Sequence, residues 1–279
     1  MRFQISFIVA AVCVAAAHPA FADTTVTVTT NNVECKVSPP DEVPAPATPS
    51  AAAGTAAERN HNYALARANF RALAESGNPE GERLYGVLLM QKCTGIQDKD
   101  AAAAWLAKAV DGGDAVAQVD LGDAYMNGDG VAQDDNKAFA LLSKAAAAGL
   151  PGAQVSVGYL YFTGRGVPAD PYQGMVWTVK AAEQGMPAAL FNISNGYFKG
   201  RALPRDLDKA AYFMEAAMQR STPVQRARFA DNINSVSRAV SANDLLRAAG
   251  RARRWSPGPD SLSDVLDDAR RAQAKAAKN

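Results

Sequence analysis

From residue 60 to about 222, apolar residues recur every three or four positions, and this helical spacing is itself repeated along the chain. Leu121-Gly122-Asp123-Ala124-Tyr125, followed by Gly128-Asp129-Gly130-Val131, returns 36 residues later as Val157-Gly158-Tyr159-Leu160-Tyr161 and Gly164-Arg165-Gly166-Val167. One period onward, Tyr197, Gly200 and Asp206 keep the register. One period back, Gly86 and Lys108-Ala109 keep it, and Gly113, Gly149 and Gly185 fall on the same spacing.

Each period predicts two helices. In the first, Val119, Gly122, Tyr125 and Met126 share a face, as do Val155, Gly158, Tyr161 and Phe162. Glycine inside a helix costs about 1 kcal/mol relative to alanine, so its return at Gly122 and Gly158 predicts a close helix approach. The double-glycine segment predicts a tight reversal with positive φ. Asp170-Pro171 then caps and starts the second helix, and Asp206 repeats the cap. The second helices, Ala138–Ala148 and Met175–Gln184, are alanine-rich and stop at Gly149 and Gly185. Neither helix can bury its apolar face alone. The expected fold is therefore all-α: a right-handed α-solenoid of stacked antiparallel helix pairs over 59–222, with a helical C-terminal cap.

The flanks read differently. Arg2, the apolar run Phe3–Ala17 and Ala20-Phe21-Ala22 predict a signal peptide over 1–22, cleaved after Ala22. That run is shorter than the roughly 20 residues a membrane span needs, so no transmembrane anchor is expected after cleavage. The chain is then periplasmic or secreted. Residues 23–58 alternate Thr and Val, which favours one short strand, and then carry Pro39, Pro40, Pro44, Pro46 and Pro49 among alanines, which favours an extended linker. In 223–279, Thr222-Pro223 opens a helix to about Val240 and Ser241 caps another through Ala249. Ser256-Pro257-Gly258-Pro259 breaks the chain, and a last helix from Asp260 or Ser261 is expected to be loosely attached.

The period, the Leu-Gly-x-x-Tyr core, the Gly-x-Gly-Val loop and the Lys-Ala-Ala before Gly185 resemble the Sel-one-like repeat family, in a secreted bacterial member. The resemblance covers about 60–222. It implies adaptor or regulatory roles, with first helices lining a groove. Lys92-Cys93-Thr94 replaces the loop in the earliest unit. Ala202-Leu203 and Ser194 replace Gly-Val and the helix glycine in the last. Terminal units of a solenoid are commonly atypical.

Chemistry is sparse. The composition, 48% hydrophobic and 20% charged, is that of a globular chain. Beyond the signal only His61, Cys35 and Cys93 remain, so neither a metal site nor a cofactor site is expected. Cys35 and Cys93 either form a disulfide in an oxidising compartment or stay as two thiols. The β-lactamase pairings Ser-x-x-Lys and Lys-Thr-Gly are absent, which weakens a cell-wall or β-lactam-acting hydrolase as the alternative function.

What varies between units is a face of the first helices. Asp120, Asp123 and Asn127 become Ser156, Tyr159 and Thr163, then Asn192, Asn195 and Lys199. Such variation on a constant scaffold suits either recognition of a protein or peptide, without catalysis, or an ordinary solvent face. The net charge of +1 conceals opposed blocks: 16 Lys+Arg against 22 Asp+Glu in 23–219, and 12 against 6 in 220–279. Arg247, Arg251, Arg253 and Arg254 beside Trp255 form a basic patch suited to an anionic envelope component, and secretion argues against nucleic acid.

Overall fold

The computed structural model describes residues 25–29, 32–36, 43–91, 95–258 and 262–277. The signal segment over 1–22 and the side chains of Cys35 and Cys93 lie outside the described residues, as do Asp260 and Ser261. Where one strand was expected there are two, β1 (Thr25–Thr29) and β2 (Asn32–Lys36), paired antiparallel with Thr25 opposite Lys36 and Thr29 opposite Asn32.

The rest is helical. The repeated pairs are α3 (Pro79–Met90) with α4 (Lys99–Asp111), α5 (Ala115–Asn127) with α6 (Asp135–Ala147), α7 (Pro151–Thr163) with α8 (Pro171–Glu183), and α9 (Pro187–Lys199) with α10 (Leu207–Arg220). Each second helix packs on its own first helix and, through α4–α5, α6–α7 and α8–α9, on the next unit. This is the expected α-solenoid.

Its repeated details have local causes. Asp98, Asp134, Asp170 and Asp206 cap the second helices, each carboxylate accepting hydrogen bonds from first-turn amides. The same aspartates tie back to the first helix: the amides of Asp134, Asp170 and Asp206 donate to the carbonyls of Tyr125, Tyr161 and Tyr197, each at 3.0 Å. The helix glycines mark close approach, as expected. A Cβ on Gly158 would sit 3.0 Å from the Gly174 carbonyl oxygen, and one on Gly86 would sit 3.0 Å from that of Ala102. In the last unit Ser194 takes this place, and its hydroxyl donates 2.8 Å to the corresponding carbonyl, of Ala210. The exception to the glycine pattern thus keeps the same seam by hydrogen bonding.

The double-glycine loop does more than reverse the chain. A Cβ on Gly166 would lie 2.1 Å from the Asp135 carbonyl oxygen, and one on Gly130 would lie 1.8 Å from that of Lys99. The loop's second glycine therefore sits directly on the second helix of the preceding unit. An ion pair closes each of these joints. Lys99 binds Asp129, and one period later Asp135 binds Arg165, with Nε at 3.0 Å and Nη2 at 2.6 Å. The pair keeps its position and exchanges its signs.

Both flanks depart from expectation. The extended reading of 23–58 fails over its last part, because Ala51–Arg59 forms helix α1. Ser50 caps it, the Ser50 amide donates to Asn69 Oδ1 at 3.2 Å, and Gly54 lets it approach the Phe70 ring on α2 (Tyr63–Glu75). The alanines that read as linker are what a closely packed helix needs. Past the repeats, the single helix expected from Pro223 is two, α11 (Pro223–Arg228) and α12 (Ala230–Ala239). The break falls at Phe229, whose ring stacks on Phe191 with centroids 4.3 Å apart. Ser241 caps α13 (Ala242–Ala252) as expected.

The last helix, α14 (Ser263–Ala276), is firmly docked on α8, against the expectation of a loose attachment. Leu262, Val265 and Ala269 enter the largest core cluster, which also holds Met175, Val179, Tyr197 and Phe213. Within that cluster Asp268 accepts a hydrogen bond from the Tyr197 hydroxyl at 2.7 Å and from the Lys209 ammonium, and it pairs with Arg271 at its rim. The polar composition of α14 concealed this contact, since most of its charged residues do face solvent.

Candidate recognition face

The first helices of neighbouring units touch one another directly, α3 with α5 and α5 with α7, and α9 meets α12. Their closer approach puts them on the inner side of the stack. The nine varying positions lie on three of these helices, and hydrogen bonds tie two points of this face to a neighbouring helix. Ser156 Oγ donates to Asp123 Oδ1 at 3.1 Å across α5 and α7, and Asn232 Nδ2 donates to Asn195 Oδ1 at 3.4 Å across α9 and α12. Tyr159 stands out between them, 45% exposed. Asn127, Thr163 and Lys199 are exposed near the helix ends, and the Thr163 hydroxyl folds back onto the Tyr159 carbonyl at 2.9 Å. Asn192 is half-buried.

Not all of this face is free to solvent. Asp120 and Asp123 are both largely covered, and Asp120 Oδ2 is shielded from water with no hydrogen-bond partner among the described residues. Burial pushes the Asp120 carboxyl up to about 6. Arg83 opposes that shift, while Asp123 and Asp114 add to it. Burial also raises Asp123, against the hydrogen bond from Ser156. Arg83 is itself engaged with Asp114, at 3.0 Å. Sequence reasoning missed Arg83, Asp114 and Asn232. Arg83 lies on α3, which carries none of the varying positions, Asp114 is the cap that precedes α5, and Asn232 lies outside the period altogether.

A carboxyl whose pKa is raised in the folded state stabilises the fold only while it is protonated. Its contribution is complete below the ordinary carboxylate range near pH 4 and is lost as the pH rises through about 6. Asp120→Asn is therefore expected to match the wild type in melting temperature at pH 4. At pH 7.5 it should be more stable by on the order of 2 kcal/mol. Thermal melts at the two pH values check this, and equal differences at both would show that Asp120 ionises freely.

The basic patch is mostly compensated internally. Arg247 pairs with Asp244 one turn away, and Arg251 pairs with Asp208 at 2.9 Å while lying over the Tyr212 ring. Arg253 faces the half-buried Glu215, whose carboxyl is raised by burial and held down by that arginine. Neither Arg253 nor Arg254 has an ion pair within 4.0 Å or a side-chain hydrogen bond among the described residues. The patch therefore presents less free positive charge than its sequence suggests. His61 is exposed between α1 and α2, with Nδ1 3.1 Å from the Tyr63 hydroxyl.

Comparison with known proteins agrees with this architecture. The model of the Sel1 repeat matches residues 83–114, 115–150, 151–186 and 187–220, which are the pairs α3–α4 through α9–α10. The crystal structure of c5321, a protective antigen present in uropathogenic Escherichia coli strains and displaying an SLR fold, is similar with a TM-score of 0.58 and 27% identity. That match covers 81% of this chain but 46% of c5321, so the chain spans less than half of that protein's length. A Sel1 repeat protein from Oxalobacter formigenes is similar with a TM-score of 0.53 and 25% identity, over 78% of this chain and 98% of that one. No curated protein matches the chain. Four consecutive matched units, each a helix pair whose second helix opens on an aspartate cap, place the chain in the Sel1 repeat family.

Proposed function

We propose that this chain is a periplasmic or secreted, non-catalytic scaffold that binds a protein or peptide along the inner face of its first helices. Sel1 repeats generally act in protein–protein interaction, which is the setting for this reading. One observation carries it: the positions that vary between units lie on the neighbouring first helices α5, α7 and α9, with Asp123 and Ser156 hydrogen-bonded across two of them and Tyr159 exposed. A pre-formed face of this kind loses little ordering entropy on binding. Exposed tyrosine is a common anchor in such interfaces. No helix among the described residues is long and apolar enough to cross a membrane.

The test places a photocrosslinking residue at Tyr159, and at Lys180 on α8 as a control, in cells expressing the full chain. A crosslinked partner at 159 and none at 180 is expected. With that partner purified, Tyr159→Ala and Asn195→Ala should each weaken binding about tenfold, the loss of roughly 1.4 kcal/mol. Crosslinks confined to 180 would overturn the reading. So would turnover of a chromogenic β-lactam or of peptidoglycan that a single substitution abolishes.

A further inference from the structure

A second concavity lies away from the first helices, where α10, the end of α13 and the start of α14 meet. Its volume is about 430 Å³, and Lys209, Tyr212, Phe213, Arg251, Arg254, Trp255, Leu262 and Asp264 line it. Small-molecule and peptide-anchor sites span roughly 300–1,000 Å³. The lining divides by chemistry. Phe213 and Leu262 are buried beneath it, and the half-buried rings of Tyr212 and Trp255 supply its apolar surface. The charged residues are mostly spoken for: Lys209 is held by Asp268 and lies 3.5 Å from Asp264, and Arg251 is held by Asp208.

Two donors are not, those of Tyr212 and Arg254. The Trp255 indole N–H is shielded from water, so the ring and not the donor lines the cavity. The Trp255 ring is fixed in place, because the Arg220 guanidinium lies 4.6 Å over it and donates to the Trp255 carbonyl at 2.9 Å. The Tyr212 hydroxyl has no hydrogen bond among the described residues, and burial, ahead of the nearby charges, keeps it protonated. The Arg254 guanidinium is the second. A planar guanidinium beside a neutral O–H donor matches a carboxylate, which accepts on both oxygens.

We propose that this cavity is a binding site for a carboxylate carried on an apolar group, as the C-terminal residue of a partner chain presents it. The carboxylate would face Arg254 and Tyr212, and the apolar group would lie against the rings of Tyr212 and Trp255. Asp264, exposed at the rim, would accept an amide N–H of the incoming chain. All of these residues lie outside the inner face, so failure of this site and failure of the groove reading are separate results.

The probes are acetyl-Gly-Ala-Phe with a free C-terminus, the same peptide amidated, and benzoate, each titrated into the full chain. The readout is the indole N–H resonance of Trp255, with those of Trp105 and Trp177 as internal controls. The free-acid peptide is expected to shift Trp255 saturably, and the amide should bind at least tenfold more weakly. Arg254→Gln should weaken the acid about tenfold without changing the melting temperature. Tyr212→Phe, which keeps the ring and removes the donor, should weaken it severalfold when followed by calorimetry. A peptide that binds more tightly than benzoate identifies a chain terminus as the occupant, and the reverse order identifies a free small acid. No saturable shift with either acid, equal affinity for acid and amide, or an unchanged affinity in Arg254→Gln would overturn the proposal.

Discussion

Gly166→Ala is expected to destabilise the protein by about 3 kcal/mol or more, and Gly130→Ala by a similar amount. Two effects add at these positions. The backbone φ is +67° at Gly166 and +70° at Gly130, and alanine there costs roughly 1–2 kcal/mol. The added Cβ would also stand 2.1 Å from the Asp135 carbonyl oxygen, or 1.8 Å from that of Lys99. Both obstacles are backbone atoms at the first turn of a helix, so relief requires one unit to shift against the next. Gly149→Ala isolates the conformational part, since φ there is +92° and nothing lies within 4 Å of the new Cβ. It should cost only about 1–2 kcal/mol. In a solenoid each unit contacts only its neighbours, so Gly166→Ala should also speed amide exchange in α5 and α6 before the rest of the chain. The last unit supplies the opposite sign. Ala202 occupies the same loop position with φ +61°, and Ala202→Gly should raise stability by about 1 kcal/mol. Thermal melts of the four variants decide the matter. A Gly166→Ala penalty no larger than that of Gly149→Ala would remove the inter-unit joint as its cause.

The repeat was legible in the sequence because its causes are local. An aspartate cap, a left-handed glycine and a helix glycine each act within one helix pair, and a fixed period makes each visible several times. The joint between units was half legible. Glycine at 130 and 166 could be read for its φ, but its contact with the preceding unit depends on where that unit's carbonyl points. The ion pairs offered a further signal, since Lys99 and Asp129 recur one period later as Asp135 and Arg165. Comparing signs across the period would have found them. The flanks were least legible because they obey no period. Alanines at 51–57 serve an extended linker or a tight helix equally well, and Phe70, which selects the helix, is some fifteen residues away. The varying face was found, yet its sequence could not separate the covered Asp120 and Asp123 from the exposed Asn127. All three are polar, and only the packing of α3 and α7 on either side of α5 divides them.

Asp268→Ala is expected to cost about 3 kcal/mol and to release α14. Asp268 is 9% exposed at its side chain and sits where α9, α10 and α14 converge. Removing one partner of a covered ion pair typically costs 3–5 kcal/mol, because the other charge is left uncompensated. Here Lys209 keeps some access to solvent and a second carboxylate in Asp264, which argues for the lower end. Tyr197→Phe removes a single donor and should cost about 1 kcal/mol. The acid side gives an independent check. Burial would raise the Asp268 carboxyl, but hydrogen bonds from Lys209, Arg271 and Tyr197 outweigh it and hold the group down to about 2. A carboxyl with a lowered folded pKa stabilises the fold above the ordinary range near pH 4, and that contribution is lost as the pH falls through about 2. Wild-type protein should therefore lose stability between about pH 4 and pH 2. Asp268→Asn, already uncharged, should lose less over the same interval. Trypsin reports on α14 directly, because Arg270 and Arg271 lie on it. In Asp268→Ala, cleavage there should precede global unfolding, with the Leu262, Val265 and Ala269 contacts alone too small to keep the helix seated. Cleavage at the wild-type rate, together with an unchanged melting temperature, would mean that those apolar contacts hold α14 without the buried carboxylate.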